Sequence, residues 1–245
     1  MPNELDILYE DNHLLIINKP ALISTMGGTG QGTSLVDVVR EYIRERYDKP
    51  GNVYIGVVSR LDAWVTGAIV FARTSKAAAR LNDQFRSREV QKKYWAIVSK
   101  DPDSPGQELP VGVFQHWIRK NEDLHRMEIR ENIHCRNPPA ENPEMEQQGF
   151  QRAELESQLV SQDRDRLLLE INLITGRKHQ IRAQLSGMGW PVWGDGKYGS
   201  SDKFGTGIAL HSRELSIIHP TLKNRLDIRA KLPGYWPEFA KKFSW

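Results

Sequence analysis

Cysteine occurs once in the 245 residues, at Cys135, so no intramolecular disulfide can form. A reducing compartment is the natural setting for such a chain. Long apolar runs are missing too, none approaching the ~20 residues that a membrane-spanning helix needs. The opening MPNELDILYE lacks the basic, apolar, small-residue order of a secretory leader. A cytoplasmic protein with no membrane association is expected. Gly27, Gly28, Gly30 and Gly32 cluster in one loop, but no Gly-Lys-Ser/Thr follows, which excludes a phosphate-cradling nucleotide site. His116, His125, His134 and Cys135 match no common zinc spacing, so neither a metal nor another cofactor is expected.

Net charge is only +3, which by itself is weak evidence for a polyanionic partner. Its distribution says more. Residues 101–150 hold ten acids and five bases, so the rest of the chain carries +8. From Arg73 to Lys93, seven bases stand against Asp83 and Glu89. That stretch reads either as an electrostatic footprint for nucleic acid or as a solvated helix face.

Leu14 to Ile17 form a short apolar run closed by Asn18, Lys19 and Pro20, as in a buried strand entering a turn. Leu35, Val38, Val39, Tyr42 and Ile43 recur at helical spacing, with Thr33 or Ser34 as cap and an end near Arg46. Gly67 to Ala72 reads as a strand, followed by a helix capped by Thr74 or Ser75 with Ala78, Leu81 and Phe85 inward. Tyr94 to Val98, Ala153 to Leu159 and Leu167 to Leu173 have strand periodicity, as do shorter segments at Ile208 to Leu210, Leu215 to Ile218 and Leu226 to Ala230. Strands outnumber helices, which predicts an α+β fold with a mixed, mainly antiparallel central sheet flanked by helices. A single domain over 1–245 is expected. Its acidic, proline-containing segment 101–150 reads as an irregular insertion.

Two segments carry chemistry. Ser59-Arg60-Leu61-Asp62 ends a strand-like run, and an acid in such a loop can face a cleft, although an Asp there is more often a turn or cap. Thr175-Gly176-Arg177-Lys178-His179-Gln180-Ile181-Arg182 follows the Leu167 to Leu173 strand and opens a helical pattern, gathering bases at a helix start where anions bind readily. A carboxylate that must stay ionised under a covering ligand is helped by a guanidinium within about 4–6 Å. Spacing alone does not bring Asp62 and Arg182 together.

The strings RLD with TG at 60–67, QKKYWAIV at 91–98, TGRKHQIRAQL at 175–185, GDGKYG at 194–199 and ALHSRELSIIHP at 209–220, with LYEDNHLLIINKPA at 8–21, resemble the RluA family of pseudouridine synthases. The six segments stand in family order over nearly the whole chain. The resemblance implies isomerisation of uridine in structured rRNA or tRNA, without metal or nucleotide cofactor, by a monomer lacking the small N-terminal RNA-binding module of many relatives. It implies that Asp62 is the catalytic aspartate, acting at the anomeric carbon or on a sugar proton. Tyr94 resembles the tyrosine that stacks on the uracil, though its place on a strand equally suits the core. Arg182 resembles the arginine paired with the carboxylate. Arg60 resembles an arginine inserted into the RNA, with a phosphate contact as the competing role. Arg177, Lys178, His179 and Gln180 contact RNA or orient their loop, and Leu185 packs beside the base or in the core.

The chain departs from the family pattern around the aspartate: Ser59 stands where His is usual, and Ala63-Trp64-Val65 precede Thr66-Gly67. Trp64 either offers RNA a stacking surface or fills a hydrophobic gap. Two rival readings remain, the first prompted by these residues and the basic segment, the second by an Asp at an anomeric carbon that could equally serve water attack. One is a non-catalytic RNA-binding protein that keeps the fold. The other is a base-removing hydrolase, which would release free uracil.

Overall fold

The structure, a computed structural model, describes residues 5–27, 32–99, 108–134 and 142–243. The chain divides into two compact units, Met1–Lys92 with His211–Pro233 and Lys93–Leu210 with Gly234–Trp245. Elements are numbered in chain order.

The sheet of the first unit runs β1 (Ile7–Glu10), β2 (Leu14–Lys19), β4 (Thr66–Ala72), β10 (Leu210–Ile218), β11 (Arg225–Arg229), and the short β3 (Gly56–Val57) also pairs with β4. These pairings are antiparallel except that of β4 with β10. Leu14 and Ile16 pack with Ala68 and Val70 against Ala77, Ala78 and Leu81 of α2 (Ser75–Arg86). Leu15 and Ile17 point the other way, with Ile69 and Phe71, against Leu35, Val39 and Ile43 of α1 (Leu35–Arg46). A strand covered on both faces needs apolar residues at every position, which is why β2 reads as an unbroken run. Each such side chain contributes about 1.5–3 kcal/mol by leaving water. Ser34 opens α1, its hydroxyl and backbone N–H both donating to the Asp37 carboxylate at 2.6 and 3.2 Å. Thr74 opens α2, its Oγ1 accepting the Ala77 N–H at 3.2 Å. Both caps stand where the sequence predicts them.

The second unit has an antiparallel sheet in the order β5 (Gln91–Ser99), β9 (Arg166–Leu173), β8 (Gln151–Asp163), β6 (Gly112–Asn121), β7 (Arg126–His134). Its helices are α3 (Pro143–Gln147), α4 (Gln180–Gly187) and α5 (Glu238–Lys241). Here the expectation of an irregular segment at 101–150 is corrected, because β6, β7 and α3 all lie within it. Phe114, Trp117 and Ile118 are buried on β6, while Glu122 and Asp123 occupy the exposed tip of the β6–β7 hairpin. Pro110 precedes β6, and Pro143 opens α3, where its missing N–H leaves no helix bond unmade. Pro102, Pro105, Pro138, Pro139 and Cys135 lie outside the described residues. Of the two strands expected at 208–210 and 215–218, the second lies within β10, which begins only at Leu210, so Ile208 and Ala209 precede it. The polar run His211-Ser212-Arg213 that separates them in sequence is itself buried.

Candidate active site

Asp62 lies in the first unit, half-buried, in the irregular stretch between β3 and β4. The backbone on both sides of it is held by residues 19–25. The Thr25 hydroxyl donates to Leu61 O at 2.8 Å and accepts the Leu61 N–H at 3.1 Å. Ala63 O accepts from the Leu22 N–H at 2.7 Å and from Lys19 Nζ at 3.2 Å. Lys19 Nζ also donates to Pro20 O and Ile23 O, each at 2.9 Å, and the residue is 1% exposed. Burial pushes the Lys19 ammonium down to about 7, against the opposing attraction of the Asp62 charge. Arg60 and Trp64 flank this loop and are exposed, Trp64 by 51%.

The start of β4 is built around close backbone approach. Gly67 has φ +111°, and a Cβ there would stand 2.3 Å from Ser212 O and 2.6 Å from Ser212 N. Only glycine satisfies both the angle and the space. Thr66 Oγ1 is 2.8 Å from His211 Nδ1, and His211 Nε2 is 3.4 Å from Ala230 O. A carbonyl only accepts, so Nε2 carries the proton and Nδ1 accepts from the Thr66 hydroxyl. Burial pushes His211 down to about 3, in keeping with that neutral ring.

The second unit holds Tyr94 and residues 177–182. Tyr94 is buried on β5 with its Cα opposite Ile171. His179 takes the left-handed conformation (φ 50°) at the N-cap of α4, and its Nδ1 is 3.0 Å from the Tyr198 hydroxyl. That hydroxyl also accepts the Met127 N–H at 2.9 Å, tying β7 to the start of α4. Gln180 is buried and its amide faces inward. Oε1 accepts from Thr175 Oγ1 at 2.8 Å and from the Arg177 N–H at 3.0 Å, and Nε2 donates to Glu154 O at 3.0 Å. These bonds tie the turn at 175–177 to the start of α4 and to β8. Arg177 and Lys178 are exposed at the turn.

Arg182, 4% exposed, makes a bidentate pair with Asp195: Nε to Oδ2 at 2.6 Å and Nη2 to Oδ1 at 2.8 Å. Its Cζ lies 4.8 Å from the centre of the Tyr198 ring. Asp195 stands where backbone bonds Ile97–Ala209, Ala209–Trp193 and Trp193–Ile97, each 2.9 Å, fix the entry to the segment 194–199. The structure thus groups Arg60, Asp62 and Trp64 on one loop of the first unit, and Arg177, Lys178, His179, Gln180 and Arg182 around the start of α4 in the second. Lys19, Thr25 and Asp195 are members of these groups that residue-by-residue reading missed. The signals for Lys19 and Asp195 lay in the strings containing Asn18-Lys19-Pro20 and Gly194-Asp195-Gly196, whereas Thr25 lies in none of the family-like strings.

The family model for RNA pseudouridylate synthase matches residues 13–187. An uncharacterized RNA pseudouridine synthase of Synechocystis is 34% identical over 239 residues, covering 95% of this chain and 67% of that protein. Ribosomal large subunit pseudouridine synthase C of Vibrio cholerae is 28% identical over 240 residues, covering 94% and 66%. The chain therefore spans about two thirds of the length of these relatives. Among solved structures, human RNA pseudouridylate synthase domain containing 4 superposes with a TM-score of 0.68 at 27% identity, over 94% of this chain and 89% of that one. The α+β, mainly antiparallel fold is common to both, and the chain belongs to the RNA pseudouridylate synthase family, whose reaction is the isomerisation of uridine in RNA.

Proposed function

We propose that the two units form one catalytic domain, in which Asp62 acts at the sugar of a uridine flipped out of structured RNA. In this reaction the bond from ribose C1′ to uracil N1 breaks, the base turns while held, and C5 bonds to C1′. The proton on C5 is lost and N1 gains one, so neither hydride nor phosphate is exchanged. Asp62 attacks C1′ or takes a sugar proton, and both roles need it ionised. Arg182 is the cationic partner in this reading, with Asp195 holding the Nε–Nη2 edge of its guanidinium. Tyr94 stacks on the uracil. Extruding the nucleotide costs a few kcal/mol, which stacking and phosphate contacts by Arg60, Trp64, Arg177 and Lys178 offset.

One observation supports the reading most: an ionisable side chain projects from an irregular loop whose backbone is hydrogen-bonded on both sides. Large-subunit rRNA is the substrate class to test first, given the name of the Vibrio relative, with tRNA second. The test is incubation of Asp62→Ala with each RNA, followed by nucleoside analysis. Loss of pseudouridine formation with RNA affinity retained is the expected result. Turnover near the wild-type rate removes Asp62 from the role, free uracil in the wild-type reaction points to a hydrolase, and no product from wild-type enzyme points to an RNA-binding protein.

A further inference from the structure

Several of the bases that crowd the sequence from Arg73 to Lys93 are neutralised within the fold. Arg73 is buried, donating to Glu10 at 3.3 Å with its guanidinium 4.3 Å from the centre of the Tyr47 ring. Arg86 pairs with Asp83 at 3.1 Å, and Lys93 with Glu170 at 2.9 Å. Lys76 and Arg80 differ: both are exposed, and neither pairs with a carboxylate among the described residues. They stand one helical turn apart, on the side of α2 that meets the turn between β10 and β11. Arg80 Nη1 donates to Pro220 O at 2.8 Å. The buried Gln84 amide, a turn further on, exchanges two bonds with the Ile218 backbone, at 2.8 and 2.9 Å.

The β10–β11 turn is itself held firmly. Buried His219 donates through Nε2 to Asp11 at 2.8 Å, and its Nδ1 accepts the Thr221 and Leu222 N–H groups at 3.1 and 2.8 Å. Lys223, exposed and also without a carboxylate partner among the described residues, takes the left-handed conformation there (φ 65°). Glycine adopts that angle freely and a lysine only under strain, so backbone geometry does not account for the residue chosen. α1 supplies the contrast of a self-neutralised, solvated face, where Arg40 and Arg44 pair with Asp37 and Glu41 one turn before them and Arg46 pairs with Glu10. Beside Lys76, Arg80 and Lys223, the acids Asp11 and Asp83 are already engaged, by His219 and by Arg86. β4 spans seven residues, which puts its ends roughly 20 Å apart. The Asp62 loop precedes one end and α2 follows the other. That separation is on the order of six nucleotides along a strand.

We propose that Lys76, Arg80 and Lys223 form a second RNA-binding surface, which takes phosphates of the substrate RNA well away from the nucleotide that reacts. Phosphate suits three clustered cations that lack carboxylate partners, and contact with it demands no particular base. The surface anchors structured RNA at the far end of the first unit's sheet. It rests on the family's action on RNA and is independent of the role of Asp62.

The experiment is filter binding of large-subunit rRNA between about 50 and 200 mM salt, with thermal melts as the check on folding. Wild type is compared with the triple variant Lys76→Gln, Arg80→Gln, Lys223→Gln. A control triple, Arg164→Gln, Lys203→Gln, Lys242→Gln, removes the same charge from exposed positions of the second unit. Each phosphate contact contributes about 0.7–0.9 to the slope of log affinity against log salt. Three lost contacts therefore lower the slope by about 2–3, and the fall in affinity over that range shrinks by about twenty- to fortyfold. The control is expected to keep the wild-type slope. Equal slopes in wild type and the first triple overturn the proposal. So does a control that loses as much slope, because net charge alone then explains the effect. If the first triple does not fold, the double variant Lys76→Gln, Lys223→Gln, which keeps the Arg80–Pro220 bond, decides: a slope lowered by about 1.4–1.8 supports the surface, and an unchanged slope overturns it. The slope is read from binding alone, so an active Asp62→Asn, which ends the catalytic reading of Asp62, leaves this result standing.

Discussion

Replacing Asp195 with Asn removes a charge but almost no volume from a site where neither partner reaches water, the side chains of Arg182 and Asp195 being 4% and 1% exposed. The guanidinium then keeps its charge, loses the carboxylate that held two of its N–H groups, and cannot hydrate instead. Breaking such a buried pair from one side costs about 3–5 kcal/mol. Asn retains one oxygen that can accept a single N–H, so the lower end, about 3 kcal/mol, is expected. For a chain of this size each kcal/mol lowers Tm by roughly 2–4 °C, which gives a fall of about 6–12 °C. Urea unfolding followed by circular dichroism measures the free energy, and a thermal melt gives Tm. The double variant Arg182→Met with Asp195→Leu removes both charges at once and recovers most of the stability, with no recovery of pseudouridine formation. Asp195→Asn within about 1 kcal/mol of wild type, or a double variant as unstable as the two single changes added together, refutes the claim that this pair is an interdependent buried unit.

Gly67→Ala forces a Cβ against the Ser212 backbone at a positive φ, and a loss of at least about 3 kcal/mol is expected, read as a lowered urea midpoint or as failure to obtain folded protein. His211 has its pKa depressed from 6.5 to about 3. The unfolded chain therefore binds a proton that the folded one refuses between those values, and stability falls as pH drops through that window, by up to roughly 5 kcal/mol. A His211→Gln variant is expected to lose that part of the acid slope in denaturation curves taken from pH 7 to 3, and an unchanged slope refutes it. Trp64→Ala, at a half-exposed side chain, is expected to change stability by less than about 0.5 kcal/mol and to weaken RNA binding by about 1–3 kcal/mol in filter-binding assays. Unaltered affinity there assigns Trp64 to packing alone.

What the sequence by itself determined was whatever depends on neighbours along the chain. The run Leu14 to Ile17 announces a strand covered on both faces, Ser34 and Thr74 announce the helix starts that they cap, and the Asp62 and Arg182 strings announce the family. Residues 112–134 were hidden because acids at the hairpin tip and prolines outside the strands dominate the composition of their segment, masking the buried side chains of β6. Three facts belonged to tertiary structure alone: the burial of Lys19, the pairing of Arg182 with Asp195, and the neutrality of His211. Each follows from groups that different stretches of chain bring within about 3 Å of one another. Hydrogen bonds and desolvation depend on that distance, and no local pattern of residues encodes it.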